Sequence, residues 1–276
     1  MIRYLGDNEK GKSEILYREA FPEDKDAFVK YYYSYVTKDN KILVLEQGNK
    51  ICSMLHLNPY WLSVNGRIVD TYYYVAVATR ADCRHQGMMR KLLVKSLNDI
   101  YEEDHPFAYL MPANRAIYEP FDFRIVYQQK KVELPLESDR ANEKMAEMFD
   151  VYTLRDDWYV EKMLEEERVC AGDPPFEIVP YIMTRITHVE KMLSLLKSKK
   201  TVKVVLKVTD EIIRGNNGKF LWELTETGSV CRKVEDEEAQ ICITIAELTE
   251  FVFGKGTIAG LEDVEVLSRI CINEAV

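Results

Sequence analysis

A change of hydrophobic period around a single glycine constrains this chain more than any other feature. Between residues 41 and 79 the runs "KILVLEQG", "KICSMLHL", "YWLSVNG" and "RIVDTYYYVAVAT" are rich in β-branched and aromatic residues, the composition of strands. Asn65-Gly66 lies between the last two and supplies the positive-φ positions of a type I′ hairpin. From Gly87 onward Met89, Leu92, Leu93, Leu97 and Ile100 recur every three or four residues, which is the spacing of one helix face. An antiparallel meander must therefore pass into a helix through the short cationic turn "RADCRHQG".

The remaining segments extend this pattern. "SEILYREAF" and "EDKDAFVKYYYSYV" have helical spacing, with Phe28, Tyr32 and Tyr35 on one stripe. After the central helix, "FAYLM" reads as a strand, "PANRAIY" as a turn or short helix, and "RIVYQQKKVEL" as a strand closing a first unit near residue 135. Residues 136–175 are charged and are expected to form a helical connector. In the second unit, 176–276, Thr187 and Glu190 have capping-box spacing before "KMLSLL". "VKVVLKV", "KFLWEL" and "AQICITI" are its strands, and "AELTEFVFG" is a helix. The expected class is α+β, in two units.

Composition limits the function. The 276 residues suffice for roughly two domains. No apolar run approaches the ~18 residues of a membrane span, and "MIRYLGDNEKGKSE" is too polar for a secretory leader, so a soluble, cytoplasmic protein is expected. A net charge of −9 argues against broad nucleic-acid binding and mildly favours a cationic substrate. The six cysteines form no C-x-x-C pair, which suggests free buried thiols, and the four histidines have no ligand spacing, so no metal is expected.

The turn itself suits an anion. The first turn of a helix leaves backbone N–H groups without partners and carries partial positive charge. The amides of residues 84 to 89 would converge there, with Arg84 and His85 nearby and Gly87 permitting close backbone approach. On spacing alone, a plain strand-turn-helix connection explains Gly87 equally well.

"VATRADCRHQGMMRKLL" resembles the acetyl-CoA motif of the GNAT acetyltransferase superfamily, an apolar strand followed by R/Q-x-x-G-x-G/A. Arg84 and Gly87 match, and Met89 replaces the small last residue, as in the Eis-like branch. The resemblance implies an N-terminal GNAT fold with a splayed, mostly antiparallel mixed sheet. It also implies acetyl-CoA held by Val77, Ala78 and Thr79 on the splayed strand and by Arg84, His85, Gln86, Gly87, Met88 and Met89 in the loop. "AIYEPFDFRI" is similar to the family segment whose tyrosine protonates the departing thiolate, a role that falls on Tyr118. Asp122 stands where glycine is common, at a left-handed position that suits it less well.

The second unit resembles the C-terminal domain of Eis-type acetyltransferases, which has the sterol carrier protein 2 fold. Between the two, only about forty residues replace the family's whole middle domain. The family's base is its C-terminal carboxylate, which here is that of Val276, with Glu274 as the nearby substitute. An α-carboxyl near pKa ~3.5 is weakly basic, so a water relay, burial or simple anchoring of the amine would be needed. The resemblance thus implies direct acetyl transfer to a primary amine, on an amine-rich small molecule by preference or on a peptide, in a homo-oligomer. No nucleic-acid or membrane partner is implied. Tyr31, Tyr32, Tyr33 and Tyr35 fall where the family walls its acceptor pocket, although most tyrosines are expected to be packing. The alternative is a non-catalytic acyl-CoA- or lipid-binding protein working through its C-terminal domain.

Overall fold

The computed structural model describes residues 1–130, 132–171, 180–264 and 266–273. The first unit begins with β1 (Ile2–Tyr4), α1 (Glu14–Ala20) and α2 (Asp26–Ser34). The meander follows as β2 (Lys41–Gln47), β3 (Lys50–Val64) and β4 (Arg67–Thr79). Asn65 and Gly66 have φ of 51° and 78°, so both central hairpin residues have the positive φ of the expected turn type.

The two runs read as separate strands on either side of Asn58-Pro59 are one strand, β3. Its β2 pairing ends at Leu57, and its next partner on that side starts at Leu62. Pro59 sits in the gap, where a missing N–H costs no ladder bond.

After β4 come α3 (Met88–Glu102), β5 (Phe107–Leu110), α4 (Arg115–Tyr118) and β6 (Arg124–Gln128). The span expected to be purely helical contains α5 (Ser138–Met148), a short strand β7 (Val151–Thr153) and α6 (Asp157–Val169). β7 forms because the overhanging end of β3 offers it free backbone groups, with Val64 opposite Val151. Next is β8 (Tyr181–Ile186), which belongs to the first sheet although it lies past residue 176. It pairs antiparallel with β5 on one side and β6 on the other. The resulting order is β1-β2-β3-β4-β5-β8-β6.

α7 (Val189–Ser194), β9 (Val202–Thr209), β10 (Gly218–Leu224), β11 (Ser229–Val234), β12 (Ile241–Thr244) and α8 (Ile245–Val252) make the second layer, a sheet ordered β11-β10-β9-β12. Finally β13 (Ile270–Cys271) returns to the first sheet, pairing with β7. α7 is capped by His188, because the Thr187 hydroxyl instead donates to the His105 carbonyl at 2.6 Å. The Glu190 carboxylate likewise accepts from the Lys233 amide rather than closing a capping box.

Strand alternation divides the core. Leu43, Leu55, Leu57, Tyr72 and Tyr74 face α3, where Leu92, Leu93 and Leu97 are fully buried. Truncating any of these leucines to alanine costs about 2–5 kcal/mol. Ile42, Val44, Met54 and Tyr73 face α1 and α2. The central helix is thereby pinned across β2, β3 and β4, with its N-terminus at the end of β4. Among the described residues, no helix is long and apolar enough to cross a membrane.

Candidate active site

Parallel pairing of β4 with β5 runs from Tyr72 opposite Ala108 to Tyr74 opposite Leu110 and stops there. Two features force the strands apart. On the β3 side, Met54 pairs with Ala78 but His56 with Val75, so Leu55 faces two residues across a bulge, and Ala76 sits at φ 50°. On the other side β5 runs out into Met111 and Pro112, and proline has no N–H to offer. The edge of β4 beyond Tyr74 is therefore left without a β5 partner.

A cleft of about 770 Å³ opens at this divergence, lined by Val75, Ala76, Val77, Met111, Asn114 and Tyr118 among others. A second cleft of about 650 Å³ adjoins it, sharing Phe21 and Val77, and reaches the start of α3. Of the expected loop and strand residues, Val77, Ala78, Thr79, Arg84, His85, Gly87, Met88 and Met89 line this second cleft. Gln86 does not; its amide is turned toward the Asp82 carbonyl, 3.5 Å away.

Gly87 caps α3 at φ 69°, ψ 16°. A Cβ there would meet no atom within 4 Å, so within the protein the requirement for glycine is conformational rather than steric. The first intrahelical bond runs from the Lys91 amide to the Gly87 carbonyl at 3.1 Å. The amides of Met88, Met89 and Arg90 precede it and have no helical acceptor. Arg84 donates through Nε to the Thr79 carbonyl at 3.2 Å, fastening the loop to the strand end. Met88 is buried against α3's core face and Met89 is partly buried, so Met89 packs rather than filling the cleft.

Tyr118 ends α4, whose Asn114 side chain caps the helix by accepting from the Ala116 amide at 3.0 Å. Its ring packs edge-on to Phe123 at 6.2 Å, and burial pushes its hydroxyl up to about 12. The phenol is neutral at every physiological pH. Asp122 occupies the left-handed position at φ 63°, and burial raises its carboxyl above the usual range even with Arg185 3.9 Å away.

Glu274 and Val276 lie outside the described residues. Asn273 is described: it accepts from the Tyr127 hydroxyl at 2.9 Å and donates to the Lys130 carbonyl at 2.8 Å. It also borders a pocket of about 270 Å³ whose walls include Tyr31, Tyr60, Tyr159, Glu166 and Glu167. Of the tyrosine cluster, Tyr31 bonds the Lys162 carbonyl, Tyr32 pairs with His56, Tyr33 with Ser13 and Tyr35 with Glu161. These contacts make the cluster mainly a packing device.

Phe21, Met111 and the bulge at Ala76 were not readable as site features, since nothing in their local sequence marks them. Among the described residues, no group of three or more His, Cys, Asp or Glu side chains is placed to hold a metal ion.

Comparison with known proteins adds the following. Residues 1–126 match the model of the acetyltransferase (GNAT) domain, and residues 189–275 match that of the sterol carrier protein domain. No curated protein matches the sequence. Among solved structures, a probable N-acyltransferase of unknown function from Enterococcus faecalis V583 is 12% identical, with a TM-score of 0.74 over 96% of this chain and 93% of its own. A GCN5-related N-acetyltransferase from Kribbella flavida is 10% identical, with a TM-score of 0.72 over 100% and 98%. Eis1 from Mycobacterium abscessus is 14% identical, with a TM-score of 0.68 over 97% and 94%. At these identities the likeness is one of fold.

Proposed function

We propose that this chain, a GNAT acetyltransferase domain joined to a sterol carrier protein domain, transfers acetyl from acetyl-CoA directly to a primary amine. The observation that carries the reading is the continuity of the two clefts along β4, from the first turn of α3 to Tyr118. In this assignment the amides of residues 88 to 90, with Arg84 and His85, take the pyrophosphate. The free edge of Val77, Ala78 and Thr79 takes the pantetheine arm, and the divergence at Val75–Ala76 takes the thioester. A backbone N–H aimed at the carbonyl oxygen there stabilises the charge that develops as the amine attacks; one such donor is worth about 10²–10³ in rate.

Tyr118 then serves the leaving group. A phenol at about 12 is a weaker acid than a thiol near ~8.5, so its principal contribution is a hydrogen bond to sulfur as the C–S bond breaks. The amine's proton is assigned to the carboxylate of Val276, as the family resemblance implies, with Glu274 as the nearby substitute. The acceptor is an amine-rich small molecule of aminoglycoside type, consistent with the net charge of −9. A lipid carrier would need an acyl tunnel between the second sheet and α8. There Trp222, Phe220, Leu248 and Phe251 occupy the interior, with Trp222 fully buried.

Calorimetric titration with acetyl-CoA, followed by thiol release over a panel of amines, tests the reading. Binding and amine-dependent release are expected. Tyr118→Phe should leave acetyl-CoA affinity unchanged and lower kcat about 10²-fold. Absence of acetyl-CoA binding by the folded protein would overturn the proposal.

A further inference from the structure

The loop that follows Tyr118 is held by two arginines of the first sheet that are themselves anchored on the second unit. α4 has four residues, Arg115–Tyr118, and gives way at once to Glu119–Phe121 and the left-handed Asp122. One helical turn cannot fix the direction of its last side chain. Three carbonyls of this loop instead accept from two arginines. Arg185 on β8 donates through Nε to the Phe121 carbonyl at 2.8 Å. Arg124 on β6 donates through Nη1 to the carbonyls of Glu119 at 3.2 Å and Phe123 at 2.9 Å.

Each guanidinium turns its other side to a carboxylate of the second unit. Arg185 Nη2 meets Asp210 Oδ1 at 2.7 Å, with both side chains fully buried. Arg124 Nε approaches Glu250 Oε1 of α8 at 3.6 Å. Asp210 is itself immobilised, since Oδ1 accepts from the amides of Ile212 and Ile213, both at 2.9 Å, and Oδ2 from Asn216 Nδ2 at 3.0 Å. Asn216 in turn accepts from the Val189 amide at 3.1 Å. A buried ion pair is seldom the most stable filling for a core. A planar fork bonded at fixed angles does, however, define the position of every group it touches.

We propose that Asp210 and Arg185 are positioning residues for Tyr118: the C-terminal unit, through this pair and the weaker Glu250–Arg124 link, sets the loop that presents the phenol to the leaving group. The inference rests on the assignment of Tyr118 above. It gives the sterol-carrier-like unit a task in acetyl transfer that needs no ligand of its own.

The full-length chain is tested as Arg185→Lys, Asp210→Asn and Glu250→Gln, each with and without Tyr118→Phe. Lysine keeps the charge opposite Asp210 but has no fork to reach the Phe121 carbonyl at the same time. Arg185→Lys and Asp210→Asn are expected to bind acetyl-CoA within about twofold of the parent and to lose about tenfold in kcat. In the Tyr118→Phe background they should cause no further loss, because residues acting through one group are non-additive. Glu250 is partly exposed, so Glu250→Gln folds even where the buried variants do not, and a smaller loss with the same non-additivity is expected. Equal losses in both backgrounds would reduce the pair to a structural role and overturn the proposal, as would parental kcat in all three variants. A parental rate for Tyr118→Phe alone would overturn the tyrosine assignment as well, and that single variant tells the two failures apart.

Discussion

Burial of His56 gives the first unit a dependence on acid. The imidazole is fully enclosed, shares a hydrogen bond with the Tyr32 hydroxyl at 2.8 Å through Nδ1, and stacks on that ring at 5.6 Å. Burial, reinforced by the charge of Lys10, pushes its pKa down to about 3. In the unfolded chain the ring takes a proton near pH ~6.5; in the folded protein it stays neutral to about 3. Acid therefore favours the unfolded state: the stability is full above pH ~6.5 and is lost as the pH falls toward the folded value. His188, lowered mainly by burial, moves in the same direction. Between pH 7 and 5 urea denaturation should show a loss of about 2 kcal/mol from His56. His56→Gln removes that part of the slope, although the variant is less stable at pH 7. An unchanged slope would mean that the ring takes up its proton in the folded core as it does in the unfolded chain.

At the scale of the element, the bulge in β4 decides where the cleft opens. Ala76 holds φ 50° without being glycine, a conformation that a β-branched residue tolerates poorly. Ala76→Val is expected to cost about 1–3 kcal/mol in urea denaturation and to weaken acetyl-CoA binding by calorimetry, as the strand regains regular pairing. Retained affinity would separate the bulge from the cofactor site. The sequence did not announce this feature, because "YVAVAT" alternates like any strand and a bulge is set by what β3 and β5 offer on either side. What it did announce follows from local chemistry: the hairpin at Asn65-Gly66 and the helix start at Gly87. The Thr187 box was misread because a tertiary acceptor, the His105 carbonyl, competes for the same hydroxyl. The residues proposed to hold acetyl-CoA lie together in sequence, at the end of β4 and in the turn that follows it. Phe21, Met111 and the Arg185–Asp210 pair belong to no common stretch of chain, so no local pattern could assemble them.

The whole molecule is interleaved rather than strung out. The sequence divides near residues 135 and 175, whereas the first sheet draws β8 from residues 181–186 and β13 from residues 270–271. Among the described residues β6 pairs with β8 alone, through Arg124–Thr184 to Gln128–Tyr181, so a chain cut after residue 135 takes that partner from β6. Such a fragment also loses Arg185, which is fully buried and bonded to Phe121. It exposes Phe107, Tyr109 and Leu110 at the freed edge of β5, all three fully or almost fully buried in the intact chain. An unpaired apolar edge of that kind promotes aggregation rather than folding. Residues 1–135 alone are therefore expected to show no cooperative thermal transition by circular dichroism and to bind no acetyl-CoA. A cooperative, acetyl-CoA-binding fragment would mean that the first unit completes its sheet without β8, and that the C-terminal unit is an attachment rather than a structural part of the transferase.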